Sequence, residues 1–426
     1  MRPREHVPCR TPADVAEALA LSRTSGLALA VRSGGHCFAG RSSTEGVLVD
    51  VGPMDSVSVG DGTVTVGAGA LLGAIYDALA PHGRTIAAGC GPTVGIAGLA
   101  LGGGLGILGR THGLTCDQLV SARAVLADGR VVDCDERREP DLFWALRGAG
   151  GGQFGVVTSL VLRTVPAPPA TTLHLQWPFR DGAAVLGAWQ EWAPDAPDAL
   201  AASLLVTAGA EPRVEPVVHV FGAMAGGRAD ASAQLDELVA RAGADPAHAA
   251  LHELPYREAK RRLATHAPAE DASPDALGRQ KSEFFRRTLP PTAIAALLDH
   301  VAAGRRAGEL RVLDLSPWGG AYNRVAEDAT AFAHRGERFV VKHDVVIAPG
   351  AGAAGVRRAR DWLARSWELV HPWGAGRVYA NFPDPDLDDP LTAYHAGNLD
   401  RLIRVKAAYD PGDVFRFAQS VPTSRA

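Results

Sequence analysis

The chain has little that would mark a membrane protein or a nucleic-acid-binding protein. Its 426 residues contain no apolar run near the ~18 residues that a membrane-spanning helix needs. No stretch interleaves basic and aromatic side chains, as a nucleic-acid surface would. Acidic and basic residues almost balance, at 47 against 43. We therefore expect no membrane segment and no nucleic-acid partner.

Signals for export, disulfide bonds and metal sites are also missing. Residues 1–6 lack the apolar core of a signal peptide, so we expect a cytoplasmic protein. The five cysteines are odd in number and no two are spaced C-x-x-C, which predicts neither a disulfide framework nor a metal site. Lysine is scarce, with only four residues. A pyrophosphate site would have to use backbone amides and Arg32.

What the chain has in abundance is glycine. It contains 48 glycines, which are densest between residues 67 and 155. With 46% apolar and 21% charged residues it is typical of a folded protein, and its length predicts two or three domains. The segment 89–109 is so rich in glycine that we expect no stable helix there, because each glycine costs ~1 kcal/mol relative to alanine. Such a backbone is expected to lie close to a ligand or to another chain segment.

The hydrophobic pattern predicts an α+β fold. Thr11 and Pro12 predict the start of a helix that runs to about residue 24. Alternating and β-branched runs predict strands at 27–32, 47–51 and 156–162, before a proline-rich boundary at 166–169. They also predict two hairpins, one over 57–66 with its turn at 60–62 and one that joins strands 121–127 and 130–133. The middle region predicts strands at 173–177, 203–207, 217–221, 310–315 and 338–347 with helices at about 227–242 and 292–303. A last helix is predicted at about 391–408.

Two strings match G-x-G-x-x-G, at residues 104–109 and 150–155. A nicotinamide-dinucleotide site requires the string to follow a strand and to open a helix. The first string continues into a loop-like segment, and the second continues directly into the strand at Val156. Neither string therefore predicts a Rossmann site.

A shorter glycine turn at residues 33–36 has more chemical meaning. Ser33, Gly34, Gly35 and His36 follow a buried strand directly, and successive backbone N–H groups in such a turn can form a nest for phosphate oxygens. A plain connection between two strands is equally compatible with this string alone. The sequence around this turn distinguishes the phosphate nest from the plain connection.

The segment that contains this turn, 31–40, closely resembles the flavin-attachment loop of the berberine bridge enzyme-like group. That group belongs to the vanillyl-alcohol oxidase and p-cresol methylhydroxylase (PCMH) family of FAD-linked oxidases. Four further segments resemble the group's signatures in the right order, and together the matches cover 7–165 and 377–422: G-P-T-V-G-I-A-G-L-A-L-G-G-G at 91–104, D-L-F-W-A-L-R-G at 141–148, G-V-V-T at 155–158, and Y-D-P through V-F at 409–415.

The resemblance implies a two-domain PCMH-type FAD-binding fold with a sheet-plus-helices substrate domain. We expect an FAD domain at 1–165, a substrate domain at 166–370, and a segment at 371–426 that returns to the FAD domain. It also implies FAD bonded covalently through His36. The expected cofactor contacts are Arg32, Ser33, Gly34, Gly35, His36, Cys37, Gly40, Cys90, Gly91, Val94, Gly95, Gly98, Gly102, Gly103, Gly106, Gly155, Val157, Tyr379, Asn381 and Phe382.

The sequence departs from the group at three of these positions. Many relatives attach the flavin a second time through a cysteine directly before the proline of C-P-x-V-G, where this chain has Gly91. Cys90 stands one residue earlier, and a shift of one residue in an extended segment turns a side chain to the opposite face. We expect a single attachment, with Cys90 lining the site and a bulge that returns it to the flavin as the alternative. Cys37 stands where relatives usually have serine. Val94 aligns with a position where a small aliphatic residue in relatives leaves room for oxygen, and the resemblance therefore favours an oxidase over a dehydrogenase.

The third departure concerns the catalytic base. Residues 379–382 resemble the family's Y-x-N-Y segment, whose second tyrosine deprotonates the substrate, but here that position is Phe382, which has no proton to exchange. Tyr379, Tyr322 and His343 are the candidates to replace it. Asn381 and Asn398 resemble polar contacts to the flavin.

These features predict an oxidase that passes hydride from an alcohol or amine C–H of a small molecule to FAD and returns the electrons to O2 as H2O2. Tailoring of a secondary metabolite is the favoured role. An oligosaccharide oxidase and a flavin-binding protein without turnover are the alternatives. The substrate and the oligomeric state are not predicted.

Overall fold

The computed structural model describes residues 2–265 and 277–425. The chain forms two compact units. The first unit comprises residues 1–167, 325–335 and 385–426, and the second comprises 168–324 and 336–384. The expected C-terminal segment 371–426 is therefore divided between the units after residue 384. Residues 325–335, which we expected in the substrate domain, belong to the first unit.

The first helix of unit 1 is fixed by its cap. Helix α1 (Pro12–Ser25) starts after Thr11, whose hydroxyl accepts the N–H of Asp14 while the Asp14 carboxylate accepts the N–H of Thr11. This reciprocal pair satisfies two N–H groups that a helix start leaves without partners. Gly26, at φ +65°, ends the helix. The predicted helix at 12–24 is confirmed.

Unit 1 contains two larger sheets. Strands β1, β3 and β2 form a parallel sheet in that order, and β4, β5, β9, β7 and β8 form an antiparallel sheet. Strands β6 and β10 form a separate antiparallel pair. The strands are β1 (Glu5–Pro8), β2 (Leu29–Arg32), β3 (Val47–Asp50), β4 (Val57–Val59), β5 (Thr63–Gly67), β6 (Arg84–Thr85), β7 (Leu119–Val125), β8 (Val131–Cys134), β9 (Val156–Arg163) and β10 (Val165–Pro166). The further helices in this part of the chain are α2 (Leu72–Leu79), α3 (Ile96–Leu101), α4 (Gly109–His112) and α5 (Pro140–Ala145).

Helix α3 corrects the expectation that the glycine-rich segment would form no helix. Its residues Ile96, Ala97, Ala100 and Leu101 are all buried. Burial of this apolar face, at about 25 cal/mol per Å² of apolar surface, outweighs the helix penalty of the single glycine inside it, Gly98.

Unit 2 is built on one seven-stranded antiparallel sheet in the order β14-β11-β13-β12-β16-β17-β15. The strands are β11 (Ala170–Pro178), β12 (Leu200–Ala208), β13 (Val217–Ala225), β14 (His248–Leu254), β15 (Leu277–Phe285), β16 (Glu309–Pro317) and β17 (Phe339–Ile347). The helices are α6 (Gly182–Trp192), α7 (Arg228–Ala242), α8 (Tyr256–Ala264), α9 (Pro291–Ala302), α10 (Ala321–Arg324) and α11 (Gly352–Glu368).

One face of this sheet carries the core of unit 2. Trp177, Val220, Leu313 and Val341 point from the strands into a cluster that also contains buried residues of α6, α7, α9 and α11, such as Trp189. Four helices packed on one face of an antiparallel sheet make an α+β layer, as the pattern predicted.

Two helices near the C-terminus return to unit 1: α12 (Pro390–His395) and α13 (Leu399–Tyr409). The sequence predicted one helix over 391–408. The break lies at Ala396, whose φ of +46° is unfavourable for a residue with a side chain, and a 3₁₀ turn over Ala396–Asn398 follows. None of the helices in the described parts of the chain is long and apolar enough to cross a membrane.

Candidate functional site

The predicted flavin-attachment segment, 31–40, forms the end of β2 and the first part of a loop at residues 33–43, which we call the attachment loop. This loop lies against the glycine-rich segment in unit 1. The Ser33 hydroxyl donates to the Ala68 carbonyl at 2.7 Å. A Cβ added to Gly34 would lie 2.3 Å from the amide nitrogen of Gly95, and a Cβ added to Gly95 would lie 2.2 Å from Ser33 Oγ. The two segments therefore touch backbone to backbone, which only glycine at 34 and 95 permits.

His36 lies exposed on this loop. Its Nε2 is 3.0 Å from the hydroxyl oxygen of Thr93. Thr93 belongs to a turn closed by a hydrogen bond from the Val94 N–H to the Gly91 carbonyl. The contact engages one ring nitrogen, and within the described part of the chain Nδ1 has no hydrogen-bond partner. One nitrogen therefore remains for another bond.

The amides beside His36 form the donor set that a pyrophosphate requires. The N–H groups of Gly34, Gly35 and His36 meet no acceptor among the residues that the structure describes. Gly35 has φ +77° and open space where a Cβ would be. Successive amides at a position of positive φ form an anion-binding nest, so this loop fits the pyrophosphate of FAD.

Arg32 lies differently from its expected place at the pyrophosphate. Its Nε donates to the Ser42 carbonyl at 3.0 Å, and its terminal nitrogen donates to the Ser43 hydroxyl at 3.2 Å. The guanidinium thus braces the far end of the attachment loop. The groups of this loop that could bind a pyrophosphate are therefore the backbone N–H groups of Gly34, Gly35 and His36.

The predicted glycine contacts fall into two kinds. Gly35 and Gly98 have no protein atom within 4 Å of an added Cβ, so their missing side chains leave open space. At Gly106 an added Cβ would lie 2.1 Å from the Ala88 carbonyl oxygen, and at Gly155 it would lie 3.0 Å from that of Val125. The backbone at Gly106 and at Gly155 is therefore closely packed within the protein, which is a reason for glycine that the sequence did not predict.

Other predicted contacts are integrated into the first unit. The Val94 carbonyl accepts the N–H of Leu72 at 3.0 Å. Gly102 and Gly103 are buried at the end of α3, and Val157 is buried in β9. Gly40, at φ +70°, donates its N–H to the Cys37 carbonyl. Cys37 and Cys90 are half-buried free thiols.

Asn398 also has a different role from the polar flavin contact suggested by the resemblance. Its side-chain amide donates to the carbonyl of Glu327 at 2.7 Å and to that of Thr330 at 3.1 Å. It thereby holds the segment 325–335 within unit 1. Arg335 of that segment binds both carboxylate oxygens of Asp117, at 2.7 and 2.8 Å.

In unit 2, the sheet face opposite the core carries a polar row. Directly paired residues of neighbouring strands share a face. From β14 to β15 the row consists of His248, Gln176, His219, Leu205, Asp314, Lys342 and Ser282. Leu205 is its single apolar member.

Lys342 organises one end of the row. Its Nζ lies 3.3 Å from an Asp314 carboxylate oxygen, 3.2 Å from one of Asp344, and 5.0 Å from the centre of the Phe382 ring. Burial disfavours the ammonium ion, but the two carboxylates outweigh burial and raise the pKa of Lys342. Burial raises the pKa of Asp344, and Asp314 adds to this rise while Lys342 opposes it.

Tyr379 and Tyr322 belong to one aromatic cluster in unit 2. Tyr322 stacks on Trp318, with ring centres 4.6 Å apart, and the Trp318 ring lies 6.2 Å from that of Tyr379. Asn381 donates its side-chain amide to the Tyr379 hydroxyl at 3.1 Å. The Tyr379 ring packs edge-on against Phe382. The structure brings these two candidate bases together near Lys342.

His343 lies on the other face of the sheet and is withdrawn as a candidate base. Its Nδ1 is 2.8 Å from the hydroxyl of Ser366 in α11. Burial, with smaller contributions from His300 and Lys281, lowers the pKa of His343 to about 3. Its neighbours Lys342 and Asp344 were missed, although the period of two in a strand places them on the face opposite to His343. Among the described residues no cluster of three His, Cys, Asp or Glu side chains could hold a metal ion.

Comparison with known proteins identifies the class. Residues 3–135 match the family model described as FAD binding domain, and residues 378–422 match that described as berberine and berberine like. The chain is 31% identical to the uncharacterized FAD-linked oxidoreductase YgaK of Bacillus subtilis, over 98% of this chain and 90% of the relative. It is 30% identical to the chitooligosaccharide oxidase of Gibberella zeae, over 96% and 85%.

Among solved structures, the fold is similar to that of BBE-like 1 from Physcomitrella patens. The TM-score is 0.87 at 28% identity, covering 99% of this chain and 92% of that one. The fold is thus the α+β PCMH-type FAD-binding fold that the sequence predicted. The chain belongs to the berberine bridge enzyme-like family of FAD-linked oxidoreductases.

Proposed function

We propose that this protein is an FAD-dependent oxidase that holds FAD in unit 1 and carries its substrate-side residues on the sheet of unit 2. The observation that carries the proposal is the attachment loop. Three backbone N–H groups, of Gly34, Gly35 and His36, have no acceptor among the described residues, and they adjoin an exposed imidazole. This combination suits a pyrophosphate and a flavin bonded to His36.

The proton of the substrate goes to Asp344 in this proposal. FAD, when bound, accepts the hydride from a C–H next to an alcohol or amine. A general base works best when its pKa approaches the working pH, and burial raises the pKa of Asp344 in that direction. Lys342 holds the carboxylate in place at 3.2 Å. Phe382 has no group that exchanges a proton.

Tyr379 is the second candidate for the base. The amide of Asn381 donates to its hydroxyl oxygen at 3.1 Å, and a donor at this atom stabilises the phenolate form. Tyr322 lies against Trp318 in the same cluster, where it is almost fully buried. We assign Tyr322 a packing role.

The polar row favours a substrate with several hydrogen-bonding groups. Gln176 and His219 are half-buried on this face, and Lys342, whose ammonium pairs with Asp314 and Asp344, belongs to the same row. A hydroxylated secondary metabolite, modified by a tailoring step, fits this surface. The second candidate is an oligosaccharide, which the same row and the similarity to a chitooligosaccharide oxidase support.

The test is a spectrum followed by a substrate panel. The purified protein should be yellow, and its colour should remain with the precipitated polypeptide after acid treatment. Anaerobic mixing with hydroxylated metabolites, amines and oligosaccharides should bleach the flavin with one class, and air should then yield one H2O2 per substrate oxidised. A colourless protein overturns the proposal. A yellow protein that no compound reduces supports a flavin-binding protein without turnover.

A further inference from the structure

Arg41, five residues after His36, joins the attachment loop to the C-terminal tail within unit 1. Its terminal nitrogen donates to Gln419 Oε1 at 2.5 Å. Its guanidinium carbon lies 4.5 Å from the centre of the Phe417 ring and 5.6 Å from that of Tyr394. We call these four residues the Arg41 clamp.

The clamp uses properties that are specific to arginine. A planar guanidinium can stack on aromatic rings and donate a hydrogen bond in its own plane at the same time. Gln419 Oε1 also accepts a hydrogen bond from the Tyr394 hydroxyl at 3.2 Å, so the same oxygen binds both Arg41 and Tyr394. The clamp is therefore one connected set of contacts.

The tail side of the clamp is rigidly held. Gln153 Oε1 accepts the N–H of Val421 at 2.8 Å. The fully buried carboxylate of Asp410 accepts the N–H groups of Val414 and Phe415, each at 2.9 Å, and pairs with Lys406 at 2.7 Å. Phe417 and Gln419 lie between these two anchors, so they present a fixed surface to Arg41.

On the loop side, two hydrogen-bonded turns connect Arg41 to the region of His36. The Gly40 N–H bonds to the Cys37 carbonyl at 3.0 Å, and the Ser43 N–H bonds to the Gly40 carbonyl at 3.1 Å. These two turns shorten and stiffen the chain between His36 and Arg41. Other contacts of the loop are the side-chain hydrogen bonds of Ser33 and Arg32 at its ends, the close approach of Gly34 to Gly95, and the contact of His36 with Thr93.

We propose that the Arg41 clamp positions His36 for covalent attachment, so that the bond to FAD forms only after the C-terminal tail has docked. The inference rests on the proposed function, namely attachment at His36. In that reaction one C–H of the flavin 8α methyl and the imidazole N–H are replaced by a C–N bond. Two electrons and two protons pass to the flavin, and O2 then takes them up as H2O2. Arg41 is a positioning residue and does not react.

The experiment compares purified full-length variants. Arg41→Met keeps the apolar stem and removes the guanidinium. We expect it to bind FAD but to lower the share of bound flavin that stays with the polypeptide after acid precipitation by about fivefold or more, the factor that loss of a cation–π stack gives. Gln419→Ala and Phe417→Leu change the clamp from the tail side and should lower this share too. Arg41→Lys should restore part of it.

Arg401→Met is the matched control. Arg401 also stacks on an aromatic ring, Trp144 at 4.1 Å, and binds Asp141, but it makes no contact with the loop. It should leave the covalent share unchanged, and the melting temperatures of all variants should be recorded. If Arg41→Met does not fold, the two tail variants decide. A normal covalent share in the clamp variants overturns the inference, whereas a wild-type protein with no covalent flavin overturns the proposed attachment itself.

Discussion

His36 and Thr93 connect two loops of the first unit through one contact of 3.0 Å between Nε2 and Oγ1. The imidazole is exposed on the attachment loop, while the threonine belongs to the turn that begins the glycine-rich segment. The contact engages Nε2 and leaves Nδ1 without a hydrogen-bond partner among the described residues. Substitution of each of these two residues provides the matched pair of variants for the first prediction.

His36→Ala should release its flavin into the supernatant after acid precipitation, because the nitrogen that bonds to the cofactor is gone. Thr93→Val removes the orienting hydroxyl but keeps the imidazole, so it should still carry covalent flavin. Absorbance of the two fractions near the flavin maximum measures both. Flavin that stays with the His36→Ala polypeptide would place the bond at Cys37 or Cys90.

A second prediction compares Gly95 with Gly98. A Cβ at Gly95 would lie 2.2 Å from Ser33 Oγ and 2.4 Å from the Gly34 nitrogen, whereas a Cβ at Gly98 meets no protein atom within 4 Å. Gly95→Ala should destabilise the fold by about 1–3 kcal/mol, the usual cost of overpacking. Gly98→Ala should leave stability intact and lower the flavin content instead. Denaturant unfolding and flavin content distinguish them, and equal effects would contradict the assignment of open space to Gly98.

The third prediction concerns oxygen. Val94 lies in the turn after Gly91, half-buried against the core of unit 1. Val94→Leu adds one methylene where we expect oxygen to approach. It should slow reoxidation of the reduced flavin more than it slows reduction by substrate. Stopped-flow traces of the two half-reactions give both rates, and unchanged reoxidation would remove the argument for an oxidase based on Val94.

Some features of the structure were predicted correctly from the sequence and others were not, and each outcome has a physical reason. Thr11 and Pro12 predicted α1 correctly because capping is a local interaction. The close packing at Gly106 was not predicted because it depends on the Ala88 carbonyl, which belongs to a different segment of the chain. The break at Ala396 was missed because a positive φ at alanine is imposed by the fold and leaves no sign in the residue type.

The end of the sheet that carries Lys342 and Asp344 shows the same division. The resemblance led to Tyr379 and to the missing hydroxyl of Phe382. It did not lead to Lys342 and Asp344, because the contact between β16 and β17 that places them beside Asp314 is visible only once strand register is known.

Acid stability gives a fourth prediction. Burial lowers the pKa of His343 to about 3 and that of His395 to about 4, both from 6.5. The unfolded chain then binds protons below about pH 6.5 that the folded chain does not bind. Each histidine should therefore lower the free energy of unfolding by about 1.4 kcal/mol per pH unit as the pH falls from about 6.5 toward its folded pKa. His343→Gln should show a shallower loss between pH 7 and 5 in urea titrations, and an unchanged slope would contradict the cause.

The last prediction decides which group takes the substrate proton. Asp344→Asn keeps the size of the side chain and removes its basicity. The rate of flavin reduction should fall by about 10² to 10⁴, the usual contribution of a positioned general base. Tyr379→Phe should change that rate less than Asp344→Asn. The reverse order would make Tyr379 the base, and the flavin spectrum of each variant checks that the cofactor remains bound.

The pH profile of the same step separates a base from a packing residue. Because burial raises the pKa of Asp344, the wild-type rate should fall as the pH drops through that raised value, and Asp344→Asn should lack this acid limb. Lys342→Met removes the ammonium that opposes the rise, so the limb should move to higher pH. A limb that persists in Asp344→Asn would exclude Asp344. Phe382→Tyr then tests whether a hydroxyl at the family's usual position can restore the lost rate.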